Sequence, residues 1–143
     1  MKESSKPVVL FLCTQNAARS QMAEAILRNL AGDRFEVASA GLKPTTIHPL
    51  TRLVMNEIGL SLVGQESKPI SQFLGKARVS YAIIVCNESE ASCPELWPFC
   101  STVLSWPFED PSSATGDDNQ RLTVFRRVRD AIQEKIKSWL DSF

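Results

Sequence analysis

The segment Cys13-Thr14-Gln15-Asn16-Ala17-Ala18-Arg19-Ser20 sets a thiol and a guanidinium six residues apart. A thiol becomes a strong nucleophile when ionised, and a helix N-terminus, an arginine and loop amides all favour the thiolate. The same amides and helix dipole bind a tetrahedral anion. Arg19 adds a planar, two-pronged donor for two of its oxygens, a fit that lysine lacks. Ser20 can donate a hydrogen bond to the Cys13 sulfur, and the Asn16 side chain can tie the loop to itself. The expected oxyanion contacts are therefore Thr14, Gln15, Asn16, Ala17, Ala18 and Arg19. The plainer alternative is a buried structural cysteine with an arginine nearby by chance. Its setting, a strand before and a helix after, weighs against that.

Such chemistry needs a strand to deliver the thiol and a helix to receive the anion. Pro7 to Leu12 is an unbroken apolar run, as suits a strand covered on both faces. Ser20 to Ala31 reads as a helix closed by Gly32, and Phe35 to Ala40 as a second strand ended by Gly41. Leu50 to Ile58 reads as helix, and Ser71 to Lys76 as a short one after Pro69. Val79 to Val85 and Thr102 to Ser105 read as the third and fourth strands. From Leu122, through Phe125, Val128, Ile132 and Ile136, to Phe143, apolar residues recur at helical spacing between Arg, Lys and Glu. The alternation predicts an α/β fold: a single-domain, doubly wound, parallel four-stranded sheet flanked by helices. In such sheets the ligand lies beyond the carboxyl ends of the strands. Cys13, Cys86 and Asp110 each closely follow a predicted strand.

Composition narrows the function classes. The 143 residues suit one domain, with 43% hydrophobic and 22% charged residues. Sixteen basic and sixteen acidic residues balance, so bulk charge draws the chain neither to nucleic acid nor to a membrane surface. The first apolar run is too short to span a bilayer, and Glu3 without a small-residue cleavage site argues against a signal peptide. The expectation is a cytoplasmic protein. There the four cysteines (Cys13, Cys86, Cys93 and Cys100) are catalytic, redox-active or inert rather than structural bridges. No large apolar stripe is left over, so a monomer is expected.

Cys13-x5-Arg19-Ser20 followed by Gln21-Met22-Ala23-Glu24, with Ser39-Ala40-Gly41 and Asp110-Pro111, resembles the low-molecular-weight tyrosine phosphatase family over essentially the whole chain. The closer resemblance is to its arsenate reductase branch. That resemblance implies arsenate as substrate, with phosphate or sulfate as analogues, and no cofactor. It makes Asp110 the general acid that protonates the departing oxygen, with Glu109 as a rival. It also assigns catalytic roles to Cys86 and Cys93, in Cys86-Asn87-Glu88-Ser89-Glu90-Ala91-Ser92-Cys93-Pro94. Cys86 would attack the Cys13–arsenic adduct, leaving a Cys13–Cys86 disulfide, and Cys93 would move that disulfide outward to a Cys86–Cys93 bridge. Thioredoxin, or glutaredoxin with glutathione, would reduce it. The bland alternative is that Cys86 is a buried strand-end residue and Cys93 a surface thiol.

The sequence departs from the resembled pattern in places. Gln15 stands where glycine is usual, and Ala18 where a further cysteine often stands. Some thioredoxin-linked members hold potassium near the loop; Asn16, Glu24 and Ser39 are compatible with that, but Lys68 stands where an aspartate is expected. An ammonium there can replace the cation, so no metal site is predicted. Ser112-Ser113 follows Asp110-Pro111 in place of the aromatic pair with which the phosphatases hold a phosphotyrosine ring. His48 before Pro49 reads as a cap or surface residue, Trp97 and Trp106 as packing for the segment between them, and Cys100 as packing beside Phe99. The competing functions are a protein tyrosine phosphatase and a non-catalytic oxyanion or phosphoprotein binder. The second has no need of a nucleophile and an acid.

Overall fold

The first apolar run forms β1, Val8–Cys13, buried from Val9 onward. The computed structural model describes residues 6–73, 79–86 and 100–143, the side chains of residues 100 and 101 excepted. A strand without polar alternation needs cover on both faces, and β1 takes an inner place in the sheet. The order is β2-β1-β3-β4, all parallel, with β2 at Glu36–Gly41, β3 at Val79–Ile84 and β4 at Cys100–Ser105. From β1 the chain first adds β2 on one side and later β3 on the other. The carboxyl ends of β1 and β3 therefore flank the switch point where such sheets bind ligands. Register fixes what meets there: Cys13 lies opposite Gly41, and Leu12 opposite Ile84.

Among the described residues three α-helices accompany the sheet: α1 at Arg19–Ala31, α2 at Pro49–Glu57 and α3 at Asp118–Asp141. Single 3₁₀ turns occupy Ile70–Gln72 and Pro111–Ser113. The core joins Leu10, Phe11 and Leu12 of β1 to Met22, Ile26 and Leu27 of α1, Met55 of α2, and Phe125, Ile132 and Ile136 of α3. These α3 residues follow the apolar spacing read from the sequence.

Element boundaries differ from the sequence reading for local reasons. α3 begins four residues before Leu122, because Asp117 and Gln120 form a reciprocal capping box. That signal is polar, and apolar periodicity does not register it. α2 starts at Pro49, a residue suited to the first helical position. The turn expected from Ser71 runs instead over Ile70–Gln72; residues 74–78 lie outside the described residues. β4 extends back to Cys100, where Cys100 pairs with Val79. Trp106 packs inward from the end of β4. It is 6% exposed, with its ring 6.3 Å from Phe11 and 5.7 Å from Trp139, so it belongs to the core. Trp97 and the Phe99 neighbourhood of Cys100 fall outside the described residues.

Candidate active site

Between β1 and α1 the chain makes a loop whose carbonyls are all turned outward. The Cys13 carbonyl accepts from Leu42 N–H, that of Thr14 from Lys43 N–H, and that of Gln15 from Thr45 N–H and the Ser67 hydroxyl. The Asn16 carbonyl accepts from Gln21 Nε2, and the Ala17 carbonyl from His48 N–H and the Thr51 hydroxyl. The Ala18 carbonyl accepts from Met22 N–H within α1. In a trans peptide the N–H points opposite to the preceding C=O, and the described residues contain no cis bond. Outward carbonyls therefore aim the N–H groups of residues 14–19 toward the inside of the loop. The result is a cradle lined by Cys13, Thr14, Gln15, Ala17, Ala18 and Arg19, and by Asp110 and Ser112 from the opposite arm.

Gly41 makes this loop possible. A Cβ there would lie 2.8 Å from the Thr14 carbonyl oxygen and 2.9 Å from Asn16 N, inside contact distance of the backbone itself. Beyond ending β2, as its place in the sequence predicts, Gly41 lets the loop lie against that strand. Thr51 and Ser67, which hold loop carbonyls, were unrecognised, because each acts across long sequence separation. Helix α1 adds to the anion site. Its N-cap is Ala18, with no side-chain cap, whereas His48 caps α2 and Asp117 caps α3. An uncapped helix start leaves N–H groups for a bound anion.

Cys13 is the free thiol of the site and is 2% exposed. Its sulfur lies 2.9 Å from Ser20 Oγ and accepts from Asn16 N–H at 3.2 Å. Asn16 sits in the left-handed region at φ 53°, which Asn tolerates better than most residues. Its N–H is thereby directed at the sulfur, and its side chain turns away from the cradle. Nδ2 donates to Ser20 Oγ and Ser39 Oγ, and Oδ1 accepts from Lys68 N–H. Asn16, expected among the oxyanion contacts, is thus placed to hold the sulfur and the loop. Thr14 Oγ1 is buried in the cradle wall with no hydrogen-bond partner among the described residues.

The Asn16–Ser39 chain continues to Glu24. Ser39 Oγ donates to Glu24 Oε1 at 2.5 Å, Arg28 Nη2 meets Oε2 at 2.5 Å, and Lys68 Nζ lies 3.8 Å from Oε1. Both oxygens of this 4%-exposed carboxylate therefore face cations already, and Asn16 Oδ1 is occupied by an amide. The donor set does not fit an added metal ion, since the position's positive charge is supplied by Lys68 and Arg28.

Asp110 reaches the cradle from the segment after β4. Its Oδ2 is 3.8 Å from Arg19 Nη2, and Arg19 Nη1 donates to the Phe108 carbonyl at 3.2 Å. Phe108 N–H in turn donates to the Val85 carbonyl just beyond β3, so Arg19 is tied to the rim opposite its own helix. Glu109, the rival acid, points away: both its oxygens accept from Arg127 at 2.7 and 2.9 Å. The Arg127 hydrogen bond holds the Glu109 carboxyl below its ordinary pKa, which suits a clamp and not a proton donor. His48 accepts from Leu50 N–H as the cap of α2, and its ring packs against Phe125 with centroids 4.8 Å apart and planes tilted by 42°. Burial, then the Arg121 charge, lowers its pKa against the opposing effect of Asp110.

Cys86 lies two residues beyond β3 and is 1% exposed, at the same rim as Cys13. It is disulfide-bonded, and its partner sulfur is not among the described side chains. Cys93 lies outside the described residues. Cys13, Arg19, Ser20, Cys86 and Asp110 are thus gathered at one end of the sheet from three separate stretches of chain.

Residues 8–143 match the family model of the low molecular weight phosphotyrosine protein phosphatases. An arsenate reductase of Halalkalibacterium halodurans is 36% identical over 138 residues, covering 96% of this chain and 98% of the relative. A solved arsenate reductase in a phosphate-binding state superposes with a TM-score of 0.78 at 32% identity, covering 95% of this chain and 98% of that one. The thioredoxin-dependent arsenate reductase of Corynebacterium glutamicum gives 0.69 at 32% identity, covering 99% of this chain and 66% of that one. The chain belongs to the low molecular weight phosphotyrosine protein phosphatase family.

Proposed function

We propose that the protein is an arsenate reductase working through a thiol relay. The Cys13 thiolate attacks arsenic in a cradled arsenate. One As–O bond breaks, and Asp110 gives its proton to the departing hydroxyl, which leaves as water. The Cys86 thiolate then attacks the Cys13 sulfur. A sulfur–sulfur bond forms, the sulfur–arsenic electron pair passes to arsenic, and arsenite is released. Cys93 attacks Cys86, Cys13 departs as thiolate, and an external dithiol reduces the Cys86–Cys93 bridge. Thioredoxin is the reductant favoured, as in the Corynebacterium relative; glutaredoxin with glutathione is the other candidate.

The observation that carries this reading is that Cys86 lies two residues beyond the carboxyl end of β3, the neighbour in the sheet of the β1 strand that ends in Cys13. Phosphate ester hydrolysis needs one thiol, whereas reducing arsenate needs two electrons, which a second thiol at the same rim can supply. Cys13 is free and Cys86 oxidised, the arrangement the relay leaves once the disulfide has moved off Cys13. A phosphotyrosine-directed role has less support, since no aromatic side chain lines the cradle among the described residues. Lys68 and Arg28 supply the charge at Glu24, so the reading needs no metal. No helix among the described residues is long and apolar enough to cross a membrane, and we place the protein in the cytoplasm as a monomer.

The test follows arsenite release with thioredoxin, its reductase and NADPH for wild type, Cys86→Ser and Cys93→Ser. Wild type turns over repeatedly, and each variant stops within one equivalent. Sustained turnover by Cys86→Ser would sink the relay.

A further inference from the structure

Asp110 is held asymmetrically. Oδ1 accepts from Ser112 N–H at 3.0 Å and from the Ser112 hydroxyl at 2.6 Å. Oδ2 has a weaker contact, 3.3 Å from the Ser113 hydroxyl, and it is this oxygen that faces Arg19 across the cradle. Ser112 itself lines the cradle. A carboxyl turns about its Cβ–Cγ bond, and an acid delivers its proton only from an oxygen aimed at the acceptor. An oxygen that already accepts two strong hydrogen bonds has little room for a proton, so the proton goes to the other one.

From this geometry we infer that Ser112 is a positioning residue. Its hydroxyl locks Oδ1, so that Asp110 presents Oδ2, the proton-bearing oxygen, to the leaving group of the bound oxyanion. The inference rests on the reading of Asp110 as general acid and deepens it. It also gives the Ser112-Ser113 pair a task of its own. The segment is fixed from two sides: Arg127 grips Glu109 from α3, and Ser112 grips Asp110 from within the 3₁₀ turn. The first clamp holds the backbone, and the second sets which carboxyl oxygen does the chemistry. Both the turn's backbone N–H and the hydroxyl contribute to the lock, so loss of the hydroxyl weakens it without abolishing it.

A double-mutant cycle on arsenate reduction tests this. The variants are Ser112→Ala, Asp110→Asn, the pair together, and Ser112→Thr, each checked for an unchanged unfolding midpoint. A hydroxyl acting through Asp110 predicts that Ser112→Ala lowers kcat/KM on the order of tenfold while the inhibition constant of phosphate stays put. It predicts no further loss when Ser112→Ala is added to Asp110→Asn, and recovery of most of the rate in Ser112→Thr. A merely structural role would cost the same in both backgrounds. That outcome, or wild-type kcat/KM in Ser112→Ala, overturns the inference while leaving Asp110 as the acid. Wild-type kcat/KM in Asp110→Asn overturns the acid and the inference together.

Discussion

The two sides of the cradle are built differently. On the β1–α1 side, every carbonyl from Cys13 to Ala18 is held by a donor, and those donors come from the segment after β2, α2, Ser67 and α1 itself. On the facing side, the Asp110 segment is held by the Phe108 contacts, by its own serines and by an exposed Glu109–Arg127 pair. The difference follows the chemistry. An anion site must have its dipoles fixed before the anion arrives, because preorganised donors stabilise charge without rearranging. A general acid must approach, deliver a proton and admit the next nucleophile, so a lighter hold is tolerable. Stability is therefore spread unevenly around one small site.

Substitutions on the two sides should separate accordingly. Cys13→Ser should abolish arsenite formation while phosphate still binds, read by isothermal titration. Residual reduction would mean that another group starts the reaction. Arg19→Lys should lower kcat/KM roughly 10²–10³-fold, because an ammonium cannot reproduce the paired donors. If lysine serves as well, the planar clamp is not part of the cradle's work.

Gly41→Ala should destabilise the fold by about 1–3 kcal/mol in denaturant titration, since the new Cβ meets backbone and not a movable side chain. A neutral result would show the loop to be more yielding than its hydrogen bonds suggest. On the facing side, Glu109→Gln should change stability by only ~0.2–1 kcal/mol, because both partners are about half exposed. A larger loss would erase the contrast.

The smallest effect concerns pH. The His48 pKa is lowered in the fold, so the folded state binds fewer protons than the unfolded one as pH drops below the ordinary value near 6.5. Its contribution is therefore complete above that value and is lost as pH falls through the lowered one. His48→Asn keeps a capping acceptor for Leu50 N–H and should flatten this slope in unfolding midpoints between pH 5 and 8 (roughly the histidine range). An unchanged slope would assign it to other groups.

Much of the architecture was legible from local pattern. The apolar run of β1 signals a central strand, the spacing of Phe125, Val128, Ile132 and Ile136 signals α3, and Cys13 to Ser20 signals an anion-binding nucleophile loop. What stayed hidden acts at a distance. Ser67 meets Gln15 across 52 residues, and Thr51 meets Ala17 across 34. A lone serine or threonine carries no local mark of such a contact. Asn16 was legible as a loop-tying residue, but its left-handed backbone, which directs its N–H to the sulfur, was not.

The sequence by itself determined the kinds of groups available: a thiol, a guanidinium, a carboxylic acid and a second thiol, each close behind a strand. Chain order and periodicity suffice for that, because both are local. Only the tertiary structure decided which way those groups face. The parallel register puts Gly41 under the loop and the Cys86 end of β3 beside the Cys13 end of β1. The Arg127 clamp turns Glu109 away, while Ser112 leaves Oδ2 of Asp110 facing Arg19. Orientation depends on partners from other parts of the chain, and only folding brings those partners together.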